Sequence, residues 1–247
     1  MITDPGFYAV AVPAVLMMGL AKSGFGAGFG PLATPLMALA IPVPEAAAIM
    51  LPLLLVMDAV GVKALYRQCD RQLLRLLLPA GLLGVGLGAI TFGVLPSKVV
   101  AGIVGGLTLL FLAQRIAFPP RADSGPPPRW LGRLLGIASG FTSFVSHAGG
   151  PPLSAYVLPL RLPPITFTAT TAIFFAAVNL SKVAPYAWLG LIDLRNMSTA
   201  LVLMPLAPVG VWIGVKLVPH IPQQLFYKLV YVGMFLTGVK LLWDAAI

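Results

Sequence analysis

Apolar residues run through this chain in long blocks, interrupted by short polar or Gly/Pro-rich breaks rather than by regular alternation. Charge-free windows extend from Leu76 to Ser97, Leu162 to Ser181 and Asn196 to Val215. Each approaches the ~20 residues an α-helix needs to cross ~30 Å of hydrocarbon, whereas a β-barrel would show ~10-residue alternating strands. The pattern therefore predicts an all-α, polytopic membrane bundle. Five apolar segments fall in the first half: Phe7 to Ala21, Pro31 to Ala40, Pro44 to Leu65, Leu73 to Leu95 and Val99 to Ile116. Their counterparts are Trp130 to Val145, Pro151 to Leu160, Pro164 to Leu189, Asn196 to Val218 and Gln223 to Trp243. The second segment of each half is too short to span alone. It either crosses as half of a broken pair or re-enters, which gives 8–10 membrane segments.

The two halves read as copies. Shifting GFGAGFGPLATPLMALAIP (Gly24 to Pro42) by 121 sets Gly28 on Gly149, Leu32 on Leu153, Pro42 on Pro163 and Asp58 on Asn179. Further on, a shift of 126 sets Pro79 on Pro205, Gly84 on Gly210, Gly88 on Gly214 and Pro96 on Pro222. The run RADSGPPPR reads as a linker, dividing the chain into an N-terminal repeat at 1–120, the linker at 121–129 and a C-terminal repeat at 130–247.

Charge then orients the bundle. Lys63, Arg67, Arg71 and Arg75 crowd one connection, while Arg115, Arg121, Arg129 and Arg133 flank another, so both are expected on the cytoplasmic side. An odd number of crossings per half turns the second copy upside down. Accordingly, the Leu189 to Leu194 connection, equivalent to the most basic loop, keeps only Arg195, which is expected outside. Lys216, His220 and Lys228 instead surround the equivalent of the outside turn Pro96-Ser97-Lys98. Inverted repeats are the arrangement expected.

Composition agrees: 59% of residues are hydrophobic, 9% are charged, and the mean hydropathy is +0.96. A soluble domain carries roughly a quarter charged residues. The net charge of +9 is accounted for by loop orientation rather than by nucleic acid. The first apolar stretch follows Asp4, not a basic region, and is read as a retained helix rather than a signal peptide. The lone Cys69 excludes an intrachain disulfide or a multi-cysteine metal site.

Candidate chemistry gathers at the paired breaks. Glycine and proline weaken a helix, and in lipid a non-helical backbone is tolerated only where it lines a cavity or packs inside protein. The breaks at Gly24 to Gly30 and Ala148 to Pro152 are therefore expected to line a cavity. Prolines there open the following helices, whose N-termini favour anions. Gly26, Gly28, Phe29 and Gly30 are the first-half candidates for substrate binding; His147, Gly149 and Gly150 are those of the second half.

Intramembrane ionisable residues need partners or water. Asn179 and Lys182 share a helix face, so Lys182 is expected to complement a small anion and Asn179 to add neutral donors. Lys22 borders the first break, and with Asp58 it is a candidate for coupling or charge pairing. Asp58 has three open readings: pairing with a lysine of the other half, carrying a coupling proton, or sitting near an interface. His147 aligns with Gly26. Ser143 and Ser146 offer hydroxyls that commonly bond their own helix. Gly84, Gly86, Gly88, Gly102 and Gly106 are read as close-packing positions. Phe167, Phe174 and Phe175 are read as packing, and Tyr66, Trp130, Tyr186, Trp188 and Trp243 as interface anchors.

On these residues the chain resembles the TauE/SafE sulfite exporter family. The specific part is HAGGPPLSAYVLPLRLPPITFTATTAIFFAAVNLSKVAPY, where GGPP, the TATTA helix and the NLSK step recur in order, and GFGAGFGPLATPL is similar to the family's glycine-rich motif. Phe29 departs from a run that is usually adjacent glycines. The resemblance implies transport of small anions, such as sulfite, sulfoacetate or a related organosulfonate, across a bacterial cytoplasmic (inner) membrane.

The reading is thus a secondary transporter working by alternating access between repeats. An anion channel and a membrane-embedded enzyme built on Ser146 or Ser143 with His147 are the alternatives. No enzyme activity is expected, because an HExxH motif, an acidic pair and a Walker sequence are all missing. No cofactor or metal is expected. The partners expected are a small anionic solute and membrane lipid, with no nucleic acid; homodimerisation is allowed.

Overall fold

A computed structural model of the 247-residue chain describes residues 1–22, 30–92, 126–217 and 220–246, with scattered positions between 96 and 113. The described residues form helices and turns, with no strand among them. In chain order the helices are α1 (Pro5–Leu20), α2 (Gly30–Met37), α3 (Val43–Leu65), α4 (Arg71–Thr91), α5 (Arg129–Ser146), α6 (Gly150–Val157), α7 (Pro164–Trp188), α8 (Leu194–Leu203), α9 (Leu206–Leu217) and α10 (Gln223–Ala246).

Local sequence sets these limits. Asp4, Asp70 and Asp193 cap α1, α4 and α8 by accepting from the backbone N–H of Gly6, Leu73 and Asn196. Proline stands in the first turn of α3, α6 and α7, where its missing N–H costs nothing. Among the described residues, α3, α4, α7 and the Lys228–Ala246 part of α10 are long and apolar enough to cross a membrane. The pair α8–α9, bent by 46°, passes the same test together, as a broken span or a re-entrant loop. Exposed Leu83, Leu87 and Ile90 on α4, and Val209, Trp212 and Ile213 on α9, present the apolar face that lipid would cover.

Within the apolar segment expected from Asn196 to Val218, the helix breaks at Met204 and Pro205. A proline inside a helix removes one hydrogen bond and crowds the preceding turn. Its equivalent, Pro79, leaves α4 in one piece.

Equivalent elements meet. Mid-way along α3 and α7, Asn179 donates to Asp58 over 2.7 Å, joining two positions that differ by the repeat shift of 121. At one end of this pair, the Asp70 amide, just beyond α3, donates to Thr170 in the early part of α7. At the other end, Arg195, just beyond α7, pairs at 3.1 Å with Glu45 in the first turn of α3. The two helices therefore run antiparallel, as inversion of the second copy requires.

The outer contacts exchange in the same way. Helix α1 crosses α9 where a Cβ on Gly19 would lie 2.8 Å from the Gly210 Cα. Helix α5 crosses α4 where a Cβ on Gly140 would fall on the Gly81 carbonyl, and one on Gly84 on the Ile137 carbonyl. Gly140 is Gly19 shifted by 121, and Gly210 is Gly84 shifted by 126. Close packing is thus found at Gly84, and at Gly88 against Phe144, while Gly86 and Gly106 face open space.

Cys69, half-buried in the loop after α3, offers a test of orientation. A membrane-impermeant maleimide is expected to label it only once the cytoplasmic face is opened. In a Cys69→Ser background, Leu194→Cys, at a position 90% exposed, should label from outside. Labelling of both from one side would overturn the inversion.

Candidate functional site

Gly30 and Gly150, at the starts of α2 and α6, meet the mid-helix polar position Asn179 at one hollow. The 23 residues of α3 rise about 34 Å at 1.5 Å per residue. Leu54, its middle residue, lines a small, partly open hollow of about 30 Å³ together with Phe175 near the middle of α7. Leu54 and Phe175 are again a pair separated by 121. Met18, Lys22, Gly30, Ser143, His147 and Gly150 contribute from the ends of α1 and α5 and the starts of α2 and α6, and Asn179 from α7.

Two local backbone features place the charged groups. The last turn of α1 widens into a π-turn at Ala21 and Lys22, a device common at functional sites. Helix α5 ends at His147 in the left-handed region, φ 55°. That conformation costs a residue bearing a Cβ roughly 1–2 kcal/mol, and the aligned residue of the first copy is Gly26. Both ring nitrogens of His147 are engaged, which offsets the strain.

A continuous hydrogen-bond chain runs through the site. Lys22 Nζ lies 2.6 Å from Asp58 Oδ1, with side-chain exposures of 9% and 4%. Asp58 Oδ2 accepts from Asn179 Nδ2, and Asn179 Oδ1 accepts from Lys182 Nζ at 2.8 Å. Lys182 Nζ also contacts Ser143 Oγ at 2.8 Å and His147 Nδ1 at 3.0 Å. His147 Nε2 lies 3.0 Å from the Ala47 carbonyl oxygen. A carbonyl can only accept, so the proton of a neutral imidazole sits on Nε2 and leaves Nδ1 to accept from Lys182. The three hydrogens of a Lys182 ammonium then match three neutral acceptors. Ser143, bonded to Lys182, also lines the hollow.

Lys182 is wholly buried, with no carboxylate within ion-pair distance among the described residues. It does not line the hollow. It lies behind Ser143, His147 and Asn179, which carry its field inward. Asp58 pairs with Lys22 of its own copy, the two candidates for charge pairing, rather than with a lysine of the other half; its partner in the second copy is Asn179.

Of the candidates, Lys22, Gly30, His147, Gly150 and Asn179 line the hollow, with Asp58 and Lys182 directly behind. Gly26, Gly28 and Phe29 lie outside the described residues. Gly149 serves packing: a Cβ there would sit 2.6 Å from the Ser139 carbonyl oxygen, whose side chain in turn donates to the Gly149 carbonyl.

Phe175, read as packing, lines the hollow instead, and its ring lies 5.3 Å from Lys22 Nζ. Tyr186, read as an interface anchor, is buried and donates to the Phe144 carbonyl at 2.7 Å. Ser143 was singled out only as one hydroxyl among several. The shift of 121 that sets it on Lys22 is the signal that distinguishes it. Ser146 donates to the Thr142 carbonyl and makes no hydrogen bond with His147, so the serine–histidine pair of an enzyme is not assembled there.

Several apolar spans and interrupted helices around a small hollow define a multi-pass α-helical membrane protein. The chain belongs to the sulfite exporter TauE/SafE family, whose model matches residues 11–241. No curated protein and no solved structure matches it.

Proposed function

We propose that the protein is a secondary transporter that carries a small sulfur-containing anion, such as sulfite, sulfoacetate or a related organosulfonate, across the bacterial cytoplasmic membrane. One observation carries the reading: Lys182 is a buried lysine whose three partners are all neutral, set beneath a hollow whose other wall holds a second lysine. A buried charge with no counter-charge is expensive, and an anion in the hollow supplies what the protein withholds. Ser143 and Lys22 would hold that anion from opposite copies, joined by the start of α6 at Gly150. The halves at 1–120 and 130–247 would then rock about the hollow to open it to each side in turn.

Purified protein in proteoliposomes is expected to give saturable uptake of labelled sulfite or organosulfonate, competed by the unlabelled anion. Conductance that does not saturate would replace the carrier with a channel, and product formed without flux would replace it with an enzyme.

A further inference from the structure

We propose that the packed starts of α4 and α5 form a binding site for an anionic phospholipid of the membrane, its phosphate held among Arg71, Arg75, Arg129 and Arg133. The proposal does not depend on which solute the hollow takes.

The crossing of these two helices fixes where their ends lie. A Cβ on Gly132 would sit 3.0 Å from the Leu76 side chain, and one on Gly136 2.9 Å from the Ala80 Cβ, while Gly84 and Gly88 meet Ile137 and Phe144 further along. Contacts that advance together along both helices mean that α4 and α5 run parallel. Both therefore begin at one face of the membrane. Arg75 and Arg133 adjoin Leu76 and Gly132 in the chain, and Arg71 and Arg129 are the first residues of their helices, about one turn further out. All four arginines are exposed.

Among the described residues none of the four has a carboxylate within ion-pair distance, and Asp70, next in the chain to Arg71, is committed to the Leu73 amide. The arrangement is unfavourable by itself. Like charges four residues apart on a helix repel, and cations at a helix start oppose its dipole. An anion shared by the two helices relieves both costs.

What continues from the arginines identifies that anion as a lipid. On α4 the exposed positions Arg71, Arg75, Pro79, Leu83, Leu87 and Ile90 form one broad stripe at helical spacing. On α5, Trp130 and Leu134 are exposed beside Arg129 and Arg133, with Trp130 placed as a headgroup-level anchor. A charged end that runs on into an apolar strip matches a phospholipid, headgroup first and acyl chains beneath. A soluble phosphate would use the arginines and leave the strip uncovered.

The duplication supplies an internal comparison. The same crossing recurs between α1 and α9 through Gly19 and Gly210. At the positions equivalent to the four arginines, however, stand Met197, Leu201, Tyr8 and Val12. Packing of the crossing therefore does not require the arginines.

Purified protein in a neutral detergent, given phosphatidylglycerol or phosphatidylcholine, tests the site by melting temperature and native mass spectrometry. Phosphatidylglycerol is expected to stay bound and to raise the melting temperature by about 3 °C or more, and phosphatidylcholine to do neither. Arg75→Gln/Arg133→Gln should weaken phosphatidylglycerol retention about 10-fold or more. Should that variant fold poorly, Arg71→Gln/Arg129→Gln is expected to weaken retention in the same direction. Lys216→Gln/Lys228→Gln removes as much charge from the same expected side of the membrane and should keep the wild-type response. Equal response to the two lipids, or equal loss in the arginine and lysine variants, would overturn the proposal by reducing the patch to general surface charge. Displacement of the lipid by inorganic phosphate would overturn it in favour of a soluble anion, and a doubled mass that depends on the arginines in favour of a second copy of the chain.

Discussion

Lys182→Met is expected to reduce anion uptake by about 10- to 100-fold while leaving the protein folded in the membrane. A hydrogen bond to a charged group is worth about 1.5–3 kcal/mol, and at about 1.4 kcal/mol per tenfold the loss of the cation alone accounts for that factor. Stability should respond far less. Removing a buried ammonium that lacks a carboxylate relieves a desolvation cost, which offsets the orphaning of Ser143 Oγ, His147 Nδ1 and Asn179 Oδ1. Lys182→Arg should not rescue. The three acceptors sit around one point, a pattern a compact ammonium satisfies and a planar guanidinium fork does not. Uptake and melting temperature measured on the same preparations check the prediction: parallel loss of both would make Lys182 a structural residue, and normal uptake by the methionine variant would remove it from the site.

The same cluster marks where the sequence was legible. Asn179 and Lys182, three apart in one apolar segment, had to share a face, and they are in contact at 2.8 Å. Paired Gly/Pro breaks located the starts of α2 and α6, because in lipid such backbone must be sheltered. What stayed hidden depended on the third dimension. Asp58 has lysines in both copies to choose from, and the fold brings Lys22, at the end of α1, to it. Phe175 follows Phe174 directly, yet one side chain lies in the core and the other in the hollow, since successive residues on a helix point in different directions.

Prolines were legible as breaks only on average. Pro79 and Pro205 occupy equivalent positions in the two copies, and only Pro205 bends its span. The lost hydrogen bond is common to both, so the difference arises outside the proline itself. Ser143 shows the reverse case, a residue of ordinary type whose importance is visible only through the shift that sets it on Lys22.

Gly84→Ala should be among the most destabilising single-methyl additions in the molecule. A Cβ there falls on the Ile137 carbonyl oxygen and 2.8 Å from the Phe141 amide nitrogen, both backbone atoms of α5, which cannot rotate out of the way. Overpacking a well-filled contact costs about 1–3 kcal/mol, and more where the obstacle is a helix backbone that must move as a body. A marked loss of folded yield and a melting temperature lower by about 5 °C or more are expected in detergent. Gly86→Ala, two residues on with nothing within 4 Å of its added methyl, is the control and should be neutral or slightly stabilising through helix propensity. The crossing also has a twin. Gly210, the counterpart of Gly84, meets Gly19 at a distance that leaves no room for a methyl, so Gly210→Ala should fall with Gly84→Ala rather than with Gly86→Ala. If only one twin proved sensitive, the two contacts would not be the equivalent supports that hold α3 and α7 against each other around the hollow; matched sensitivity would mean the duplication conserves the scaffold of the site even where Lys22 and Ser143, or Asp58 and Asn179, have diverged in charge.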